Sequence, residues 1–433
     1  MNLVKDPWIP VVMQDGTPEL VSLRDVFAKG EEIADLAANP CQRIALMRLL
    51  ICIAQAALDG PKDEDDWRTC KPRIAPAALS YLDKWQDRFN LFGEHAFLQV
   101  DGLQYPDDSF ADKPLRTLDA TSANGGTGLS MLWDHAADAD VRFTAIHEIP
   151  LYALCYVNFS CSGKVGKAQW REVLFNGSTA VAPSHNYLHT YLIGKTLCDT
   201  IYNNLCSKDV VSTSVVLGES DKWGCPIWER MPTSPDDTEA LCNASQTYLG
   251  RLVPLSRLIA VIETDAGVKC MAGPPPDALR MNRLPFFREP AATIVMSKKD
   301  NQPFYLKATA GRHIWRDLES IFMTEKESGT LSLIPFLNTY VYSESINHFR
   351  VWIGGSVKGN NEGKYDDLVE WSSDLPVSCF SDGSLIAYRK GMMSANIAEH
   401  SLADAIRKFN APEKDKEGKD KTGRDSKQIP YEW

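Results

Sequence analysis

The sequence predicts an α+β fold, with a large mixed N-terminal domain of antiparallel sheets and helices and a short helical region on its C-terminal side. Three observations predict it. A broad apolar helix begins after Asn39, apolar β-branched segments separated by turns follow in the second half, and an amphipathic helix spans 384–409. We therefore expect a domain at 1–375, a C-terminal helix at 376–410 and a charged flexible tail at 411–433.

The first half of the chain is predicted to hold one strand and several helices. Residues 3–12 are apolar and contain two prolines, which suits an edge strand. Asn39 is a typical N-cap and Pro40 a typical first helical residue, so they begin the clearest helix in the sequence. The acidic run 63–66 begins a second helix, and 143–159 is predicted to be a third.

The second half is predicted to alternate between short helices and strand pairs. A helix is expected at 197–205, and strands are expected between 248 and 262. Residues 292–306 predict a strand, a turn and a second strand, and 315–323 predict a helix. The stretch 352–365, rich in Gly and Asn, predicts a β-hairpin tip because these residues accept the positive φ of tight turns.

Composition limits the classes of function. The chain has 433 residues, 44% apolar and 24% charged, with a net charge of −11, which argues against a free-standing nucleic-acid binder. Eleven cysteines occur without a C-x-x-C pair, so structural zinc is not expected. The longest apolar run, 44–58, contains Arg48 and is too short to span a bilayer. We expect a soluble, cytoplasmic protein with no membrane partner.

Three local clusters of basic residues stand out against the acidic total. Each is either a solvated face or a nucleic-acid contact. The clusters are Lys164, Lys167 and Arg171; Lys298 and Lys299 with Lys307, Arg312 and Arg316; and Lys358 with Lys364.

Enzyme motifs are mostly absent. No P-loop, G-x-S-x-G, H-E-x-x-H or G-x-G-x-x-G motif occurs. One enzyme alternative is a hydrolase-like site at Ser130, Asp134 and His135, although neighbours in sequence point in different directions. His185 and His189 would share a metal on a helix face, but a proline and an asparagine in this stretch disfavour a helix. We expect neither a metal nor a cofactor.

Four motifs occur in the order found in one known family: Trp8-Ile9-Pro10-Val11, Phe97-Leu98-Gln99, Leu132-Trp133-Asp134-His135, and Gly354-Gly355 followed by Asn360-Asn361. Over residues 1 to about 405 the sequence resembles the CasA family, the large subunits of type I-E Cascade CRISPR surveillance complexes. The resemblance implies a non-catalytic subunit that recognises the protospacer-adjacent motif in double-stranded DNA, assists duplex opening for guide RNA pairing and helps license target degradation. A purely structural assembly subunit is a further alternative.

The partners implied by the resemblance are double-stranded target DNA and the Cascade subunits that carry the guide RNA, namely the backbone, small and 5′-handle-binding subunits. A helicase-nuclease or another nuclease is also implied. The family's docking loop, which contacts the complex near the 5′ end of the guide RNA, would correspond here to Asn124, Gly125, Gly126, Thr127 and Trp133. Trp133 stands where the family usually has Phe, so the docking loop keeps an aromatic residue. Alternatively, Trp133 is an ordinary core residue.

The resemblance also implies three DNA-contacting elements, which coincide with the basic clusters. They are a glycine-containing loop, a lysine on a strand-turn-strand and a wedging hairpin. The corresponding residues are Ser162, Gly163, Lys164, Gly166 and Lys167; Lys298 and Lys299; and Lys358, Asn360, Asn361, Glu362 and Lys364. Small residues and cations suit close approach to a minor groove.

Opening the duplex needs little from the protein. DNA stacking averages about 1.4 kcal/mol per step, so parting two steps costs on the order of 3 kcal/mol. One or two charge-assisted hydrogen bonds, roughly 1.5–3 kcal/mol each, supply a free energy comparable to this cost. The family's wedging glutamine falls on Glu362, and a carboxylate near phosphates is unfavourable. Either Asn360 or Asn361 is the wedge, or the alignment shifts by a residue or two, or strand opening differs here.

The C-terminal region departs from the family. The resemblance implies a four-helix bundle, whereas this sequence offers one helix, 384–409, as its remnant. A lone amphipathic helix cannot bury its apolar face by itself. It must pack on the main domain, pair with a neighbouring subunit, or belong to a truncated chain.

Overall fold

The computed structural model describes residues 1–104, 145–164, 167–175, 178–179, 182–213, 223–264, 267–280, 289–296, 303–322, 348–358, 365–376 and 382–410. Within them the helices are α1 Leu23–Ala28, α2 Pro40–Leu58, α3 Glu64–Trp85, α4 Ile149–Phe159, α5 Leu197–Asn203, α6 Lys208–Thr213, α7 Thr238–Gln246, α8 Tyr248–Leu252, α9 Leu318–Phe322 and α10 Asp382–Asn410. The strands are β1 Ile9–Met13, β2 Pro18–Val21, β3 Ile33–Leu36, β4 Leu103–Gln104, β5 Gly163–Lys164, β6 Ala168–Trp170, β7 Val173–Phe175, β8 Ser178–Thr179, β9 His189–Ile193, β10 Leu258–Thr264, β11 Gly267–Gly273, β12 Ile294–Met296, β13 Pro303–Tyr305, β14 His348–Lys358 and β15 Tyr365–Pro376. The predicted α+β class is confirmed.

Helix α2 forms the centre of the hydrophobic core. Asn39 caps it, its side-chain oxygen accepting from the Gln42 amide at 2.9 Å, and Pro40 occupies the first turn as predicted. The helix is long and apolar enough to cross a bilayer, but 78% of its apolar window is buried inside the protein. Helices α3, α4 and α8 and strand β14 pack around it. It is therefore the core helix around which the rest of the fold is arranged.

Helices α3 and α4 confirm two further predictions. The side chain of Asp63 accepts from the Asp66 amide at 2.8 Å and begins α3. The predicted third helix is shorter than expected, because α4 begins at Ile149 and is preceded by a single 3₁₀ turn, Ile146–Glu148. Pro150 is tolerated because it lies in the first turn, where its missing N–H has no partner to lose.

The N-terminal sheet corrects the prediction of an edge strand. Its order is β2-β1-β3, all antiparallel, so β1 lies in the middle. Pro10 fits there because its carbonyl oxygen accepts a hydrogen bond from the Ala37 amide at 2.9 Å. Proline has no N–H group, so it leaves no backbone donor without a partner. The prolines therefore mark a short central strand and not an edge.

The stretch 248–262 is strand only in its second part. Thr247 caps α8, its hydroxyl accepting from the Gly250 amide at 3.2 Å, and β10 does not begin until Leu258. This local cap outweighs the β propensity of the apolar residues that follow it. The predicted strand-turn-strand is confirmed as β12 and β13, and the predicted hairpin is confirmed as β14 and β15.

The predicted C-terminal helix is present as α10 and lies against the main domain. The Tyr388 hydroxyl donates to the Trp315 carbonyl oxygen at 2.8 Å, and Arg316 pairs with Glu399 at 2.5 Å. Of the three arrangements that the sequence allowed, packing on the main domain therefore occurs. Part of its apolar surface stays exposed, since Met393 is 62% and Ile397 is 61% accessible.

Candidate nucleic-acid interface

Only part of the predicted DNA-contacting set lies within the described residues. Ser162, Gly163, Lys164, Lys167 and Lys358 are described, and Lys167 and Lys358 are exposed. Outside the described residues lie Gly166, Lys298, Lys299, Asn360, Asn361, Glu362 and Lys364, together with the docking residues Asn124, Gly125, Gly126, Thr127 and Trp133 and the enzyme alternative Ser130, Asp134 and His135. The structure does describe residues that flank each of the three elements predicted to contact DNA.

The hairpin stem consists of β14 and β15, which are paired from His348 and Pro376 to Lys358 and Tyr365. Gly354 and Gly355 lie inside β14 and not at the tip, which corrects part of the sequence interpretation. A Cβ on Gly355 would come within 2.5 Å of the Tyr187 carbonyl oxygen. This glycine therefore allows a close approach between two backbone segments, and the described pairing of the hairpin ends at Lys358 and Tyr365.

The predicted Ser/Gly/Lys loop is more regular than expected. Gly163 and Lys164 form the short strand β5, which pairs with β8 in the register Gly163 to Thr179 and Lys164 to Ser178. This element begins at the end of α4, which we call its root, where the Ser160 amide donates to the Tyr156 carbonyl oxygen. We call residues 160–164 the glycine-lysine arm: it follows α4 directly, and its last two residues pair with β8.

A single segment touches the roots of all three elements, and we call residues 182–188 the crossing segment. At the end of α4, the Ala182 amide donates to the Ser160 carbonyl oxygen at 2.8 Å. The Ser184 amide donates to the Asn158 carbonyl oxygen at 3.0 Å. These bonds hold the crossing segment against the root of the glycine-lysine arm.

The crossing segment also carries the stem of the strand-turn-strand. The Leu188 amide donates to the Leu306 carbonyl oxygen, and the Leu188 carbonyl oxygen accepts from the Thr293 amide, each at 2.8 Å. The rings of Tyr187 and Tyr305 stack with centroids 4.5 Å apart. The β12–β13 pair, which leads to Lys298 and Lys299, is thus an extension of the same backbone network.

The hairpin stem joins this network through Tyr365. The Ser356 hydroxyl donates to the His185 carbonyl oxygen, and the Tyr365 hydroxyl donates to the Phe159 carbonyl oxygen. Nδ1 of His185 lies 2.7 Å from the same Tyr365 hydroxyl. Since that hydroxyl gives its proton to a carbonyl, Nδ1 of His185 must be the donor in this second bond. Burial raises the pKa of Tyr365 far above its usual range, so the phenol stays neutral.

Comparison with known proteins decides the family. The family model "CRISPR-associated protein Cse1" matches residues 2–430 of the chain. The chain belongs to the Cse1 family. A curated relative, CRISPR-associated protein CasA/Cse1 of Thermus thermophilus, is 26% identical over 333 residues, which are 74% of this chain and 60% of the relative. The sequence match therefore spans less than two thirds of that relative's length.

Solved structures share the Cse1 fold. Thermobifida fusca Cse1 superposes with a TM-score of 0.74 at 22% identity, covering 94% of this chain and 81% of that one. A chain of a structure described as "CRISPR RNA-guided surveillance complex" superposes with a TM-score of 0.69 at 18% identity, covering 94% of this chain and 82% of that one. At these identities the likeness concerns the fold.

In this Cse1-family chain, a buried ion pair connects the core helix α2 to the segment that precedes β12. Arg48 of α2 pairs with Glu289, and both side chains are fully buried. Arg48 also donates to the carbonyl oxygens of Arg251 and Leu252 at 2.7 Å each. Glu289 in turn accepts from the Ala291 amide at 3.1 Å, shortly before β12 begins at Ile294. The core helix is thus connected to the stem of β12 and β13.

The two histidines that the sequence offered as a metal pair have separate structural roles. No helix forms there, and His189 begins β9. Its Nδ1 lies 3.1 Å from the Ala291 carbonyl oxygen, whereas His185 bonds to Tyr365. Burial and the nearby Arg48 lower the pKa of His189 well below 6.5, so this ring is neutral in the folded protein.

Sequence reasoning about this Cse1-family chain missed the residues that hold the three elements together. The crossing segment carries no motif, and Tyr365 is one tyrosine among fourteen. Arg48 was visible as a charge inside an apolar run, and a buried arginine requires a partner. That signal indicates a buried ion pair, but it does not tell which acid supplies it.

Proposed function

We propose that this chain is a non-catalytic subunit of a CRISPR RNA-guided Cascade surveillance complex, which recognises the protospacer-adjacent motif in double-stranded DNA and assists duplex opening in the cytoplasm. Membership of the Cse1 family supports the assignment to such a complex. The likeness to a chain of a CRISPR RNA-guided surveillance complex supports it as well. The lysines of the three basic elements support the more specific proposal that the chain recognises DNA.

One observation carries the DNA-binding part: the roots of three elements that are far apart in sequence meet at the crossing segment. Tyr365 bonds to Phe159 across 206 positions, and Leu188 bonds to Leu306 and Thr293. Each element bears lysines at or next to its turn. A few cations gathered in one place attract phosphates even when the chain as a whole is acidic.

The partners follow from the same assignment. We propose that the chain binds guide-RNA-bearing backbone, small and 5′-handle-binding subunits, double-stranded target DNA, and a helicase-nuclease or other nuclease. The docking contact would involve Asn124, Gly125, Gly126, Thr127 and Trp133. An acidic chain with a few local cations is not expected to bind DNA tightly by itself, so the complex is the relevant binding species.

The test is co-purification of the chain with guide RNA and the neighbouring subunits, followed by DNA binding across a library of flanking sequences. The test variant replaces Lys298, Lys299, Lys358 and Lys364 by Ala. The matched control removes the same charge at Lys5, Lys62, Lys195 and Lys408, which are all exposed. We expect only the test variant to bind more weakly, with a salt slope smaller by about 0.9 for each phosphate that a lysine no longer neutralises.

Two outcomes favour the alternatives. If the test variant binds target DNA as tightly as the unmodified chain, the chain is a structural assembly subunit. If Ala at Ser130, Asp134 and His135 abolishes a turnover that the chain shows alone, while its melting temperature is unchanged, the chain is an enzyme.

A further inference from the structure

Tyr365 stands where two of the proposed DNA-contacting elements meet. It is the first residue of β15, where it pairs with Lys358 of β14, and its hydroxyl donates to the carbonyl oxygen of Phe159. Phe159 is the last residue of α4, directly before the glycine-lysine arm. One side chain therefore connects the hairpin stem with the end of α4, through two residues that are 206 positions apart.

The bond is part of a closed junction. The Tyr365 hydroxyl also accepts from His185, whose ring centroid lies 4.9 Å from that of Tyr365, and the His185 carbonyl oxygen accepts from Ser356. Phe159 is fully buried as a residue, and His185 is 4% exposed. Water is therefore poorly placed to replace the Tyr365 hydroxyl. Removing that hydroxyl would leave the His185 Nδ1 donor and the Phe159 carbonyl oxygen without this hydrogen bond.

We propose that Tyr365 is a positioning residue for sequence recognition, whose hydroxyl fixes the spacing between the end of the hairpin stem at Tyr365 and the start of the glycine-lysine arm after Phe159. This inference rests on the proposed function. Contacts that distinguish bases are made at hydrogen-bond distance and tolerate displacements of only about 0.5 Å. Attraction between lysines and phosphates acts over about 8 Å at physiological salt. Loss of the hydroxyl should therefore reduce discrimination among flanking sequences and leave the charge attraction intact.

The test compares Tyr365→Phe with Tyr388→Phe. The control deletes the same atom and the same kind of bond, because the Tyr388 hydroxyl donates to the Trp315 carbonyl oxygen at 2.8 Å on α10. Hydrogen exchange of the isolated chain is measured first, since it does not depend on DNA. We expect faster exchange at both 159–164 and 365–368 in Tyr365→Phe, and no change there in Tyr388→Phe. Faster exchange at only one of these two ranges would overturn the coupling.

The second measurement uses the assembled complex and the library of flanking sequences. We expect the affinity ratio between preferred and disfavoured flanks to fall by about five- to tenfold in Tyr365→Phe, with an unchanged salt slope. An unchanged ratio, or an equal fall in Tyr388→Phe, would contradict the positioning role. If the unmodified complex shows no flank preference, the proposed function fails and this role for Tyr365 fails with it, while hydrogen exchange still decides the coupling.

A smaller change protects the test against misfolding. If Tyr365→Phe does not fold, Ser356→Ala removes a neighbouring bond at the same junction and retains the tyrosine. It should give the same changes in exchange and discrimination at lower amplitude. Unchanged exchange at 159–164 in a folded Ser356→Ala chain would also contradict the proposal.

Discussion

Arg48 and Glu289 form an ion pair in which both side chains are completely buried, joining the core helix α2 to the segment that leads into β12. The guanidinium also bonds to two backbone carbonyls at the end of α8. Buried charges of this kind are costly to separate, because the remaining partner has no solvent to stabilise it. The pair therefore ties the stability of the core to the placement of the strand-turn-strand.

Glu289→Gln should destabilise the protein by about 3–5 kcal/mol, because the Arg48 charge stays buried without an opposite charge. Urea unfolding monitored by tryptophan fluorescence measures the loss. Glu319→Gln is the matched control, since Glu319 pairs with Arg389 at 2.8 Å on a partly exposed surface and should cost no more than about 1 kcal/mol. Equal losses of unfolding free energy in the two variants would show that the buried pair stabilises the protein no more than the surface pair does.

His189 should make the protein less stable in mild acid. Its pKa in the folded state lies well below 6.5, whereas in the unfolded chain it returns to about 6.5. Below that pH the unfolded chain binds a proton that the folded chain excludes, so stability is retained above about pH 6.5 and falls as the pH drops below it. The slope from this group approaches about 1.4 kcal/mol per pH unit.

The measurement is the free energy of unfolding between pH 7.5 and 5.5 for the unmodified chain and for His189→Gln. The variant should lack this share of the slope. Identical slopes in the two proteins would mean that His189 binds protons equally in the folded and the unfolded chain.

Gly355→Ala should loosen the contact between the hairpin and the crossing segment, because the new Cβ would lie within 2.5 Å of the Tyr187 carbonyl oxygen. We expect a loss of about 1–3 kcal/mol in thermal or urea unfolding. Gly391→Ala is the control: nothing lies within 4 Å of its Cβ position on α10, and it should gain about 0.5–1 kcal/mol. A neutral Gly355→Ala would mean that the two segments are not held as closely as the structure has them.

The sequence predicted local features well and missed long-range contacts. Asn39 with Pro40 predicted α2 because capping depends on neighbouring residues only, and the Gly- and Asn-rich stretch predicted the β14–β15 hairpin for the same reason. The strand expected from Tyr248 failed because a Thr247 cap was not considered. These successes and this failure concern interactions within a few residues.

The candidate site could be predicted only in part. Glycines and lysines marked the three elements, but Gly355 is required by the backbone of Tyr187, which no local pattern reveals. The bond between Tyr365 and Phe159 joins residues whose neighbours in sequence have nothing in common. Contacts of this kind follow from how the whole chain packs, so residue patterns alone cannot give them.

Glu362→Gln should increase the affinity of the assembled complex for target DNA. If Glu362 lies near a phosphate, as the proposed function implies, removing its charge relieves a repulsion of about 1 kcal/mol at 4 Å in water, or roughly a fivefold change in the dissociation constant. Glu94→Gln, at an exposed position elsewhere in the chain, should leave the constant unchanged. Weaker binding by Glu362→Gln would indicate that the carboxylate makes a favourable contact of its own.

Under the proposed function, residues far apart along the chain meet the same short stretch of DNA, and site-specific photo-crosslinking can locate these contacts. A photoreactive residue is placed at position 164, 298 or 360 of the chain in the assembled complex, and at position 195 as the control. We expect the first three positions to crosslink to the same few base pairs beside the target, and position 195 to give no such crosslink. Crosslinks from 164, 298 and 360 to separate regions of the DNA, or to none, would contradict it.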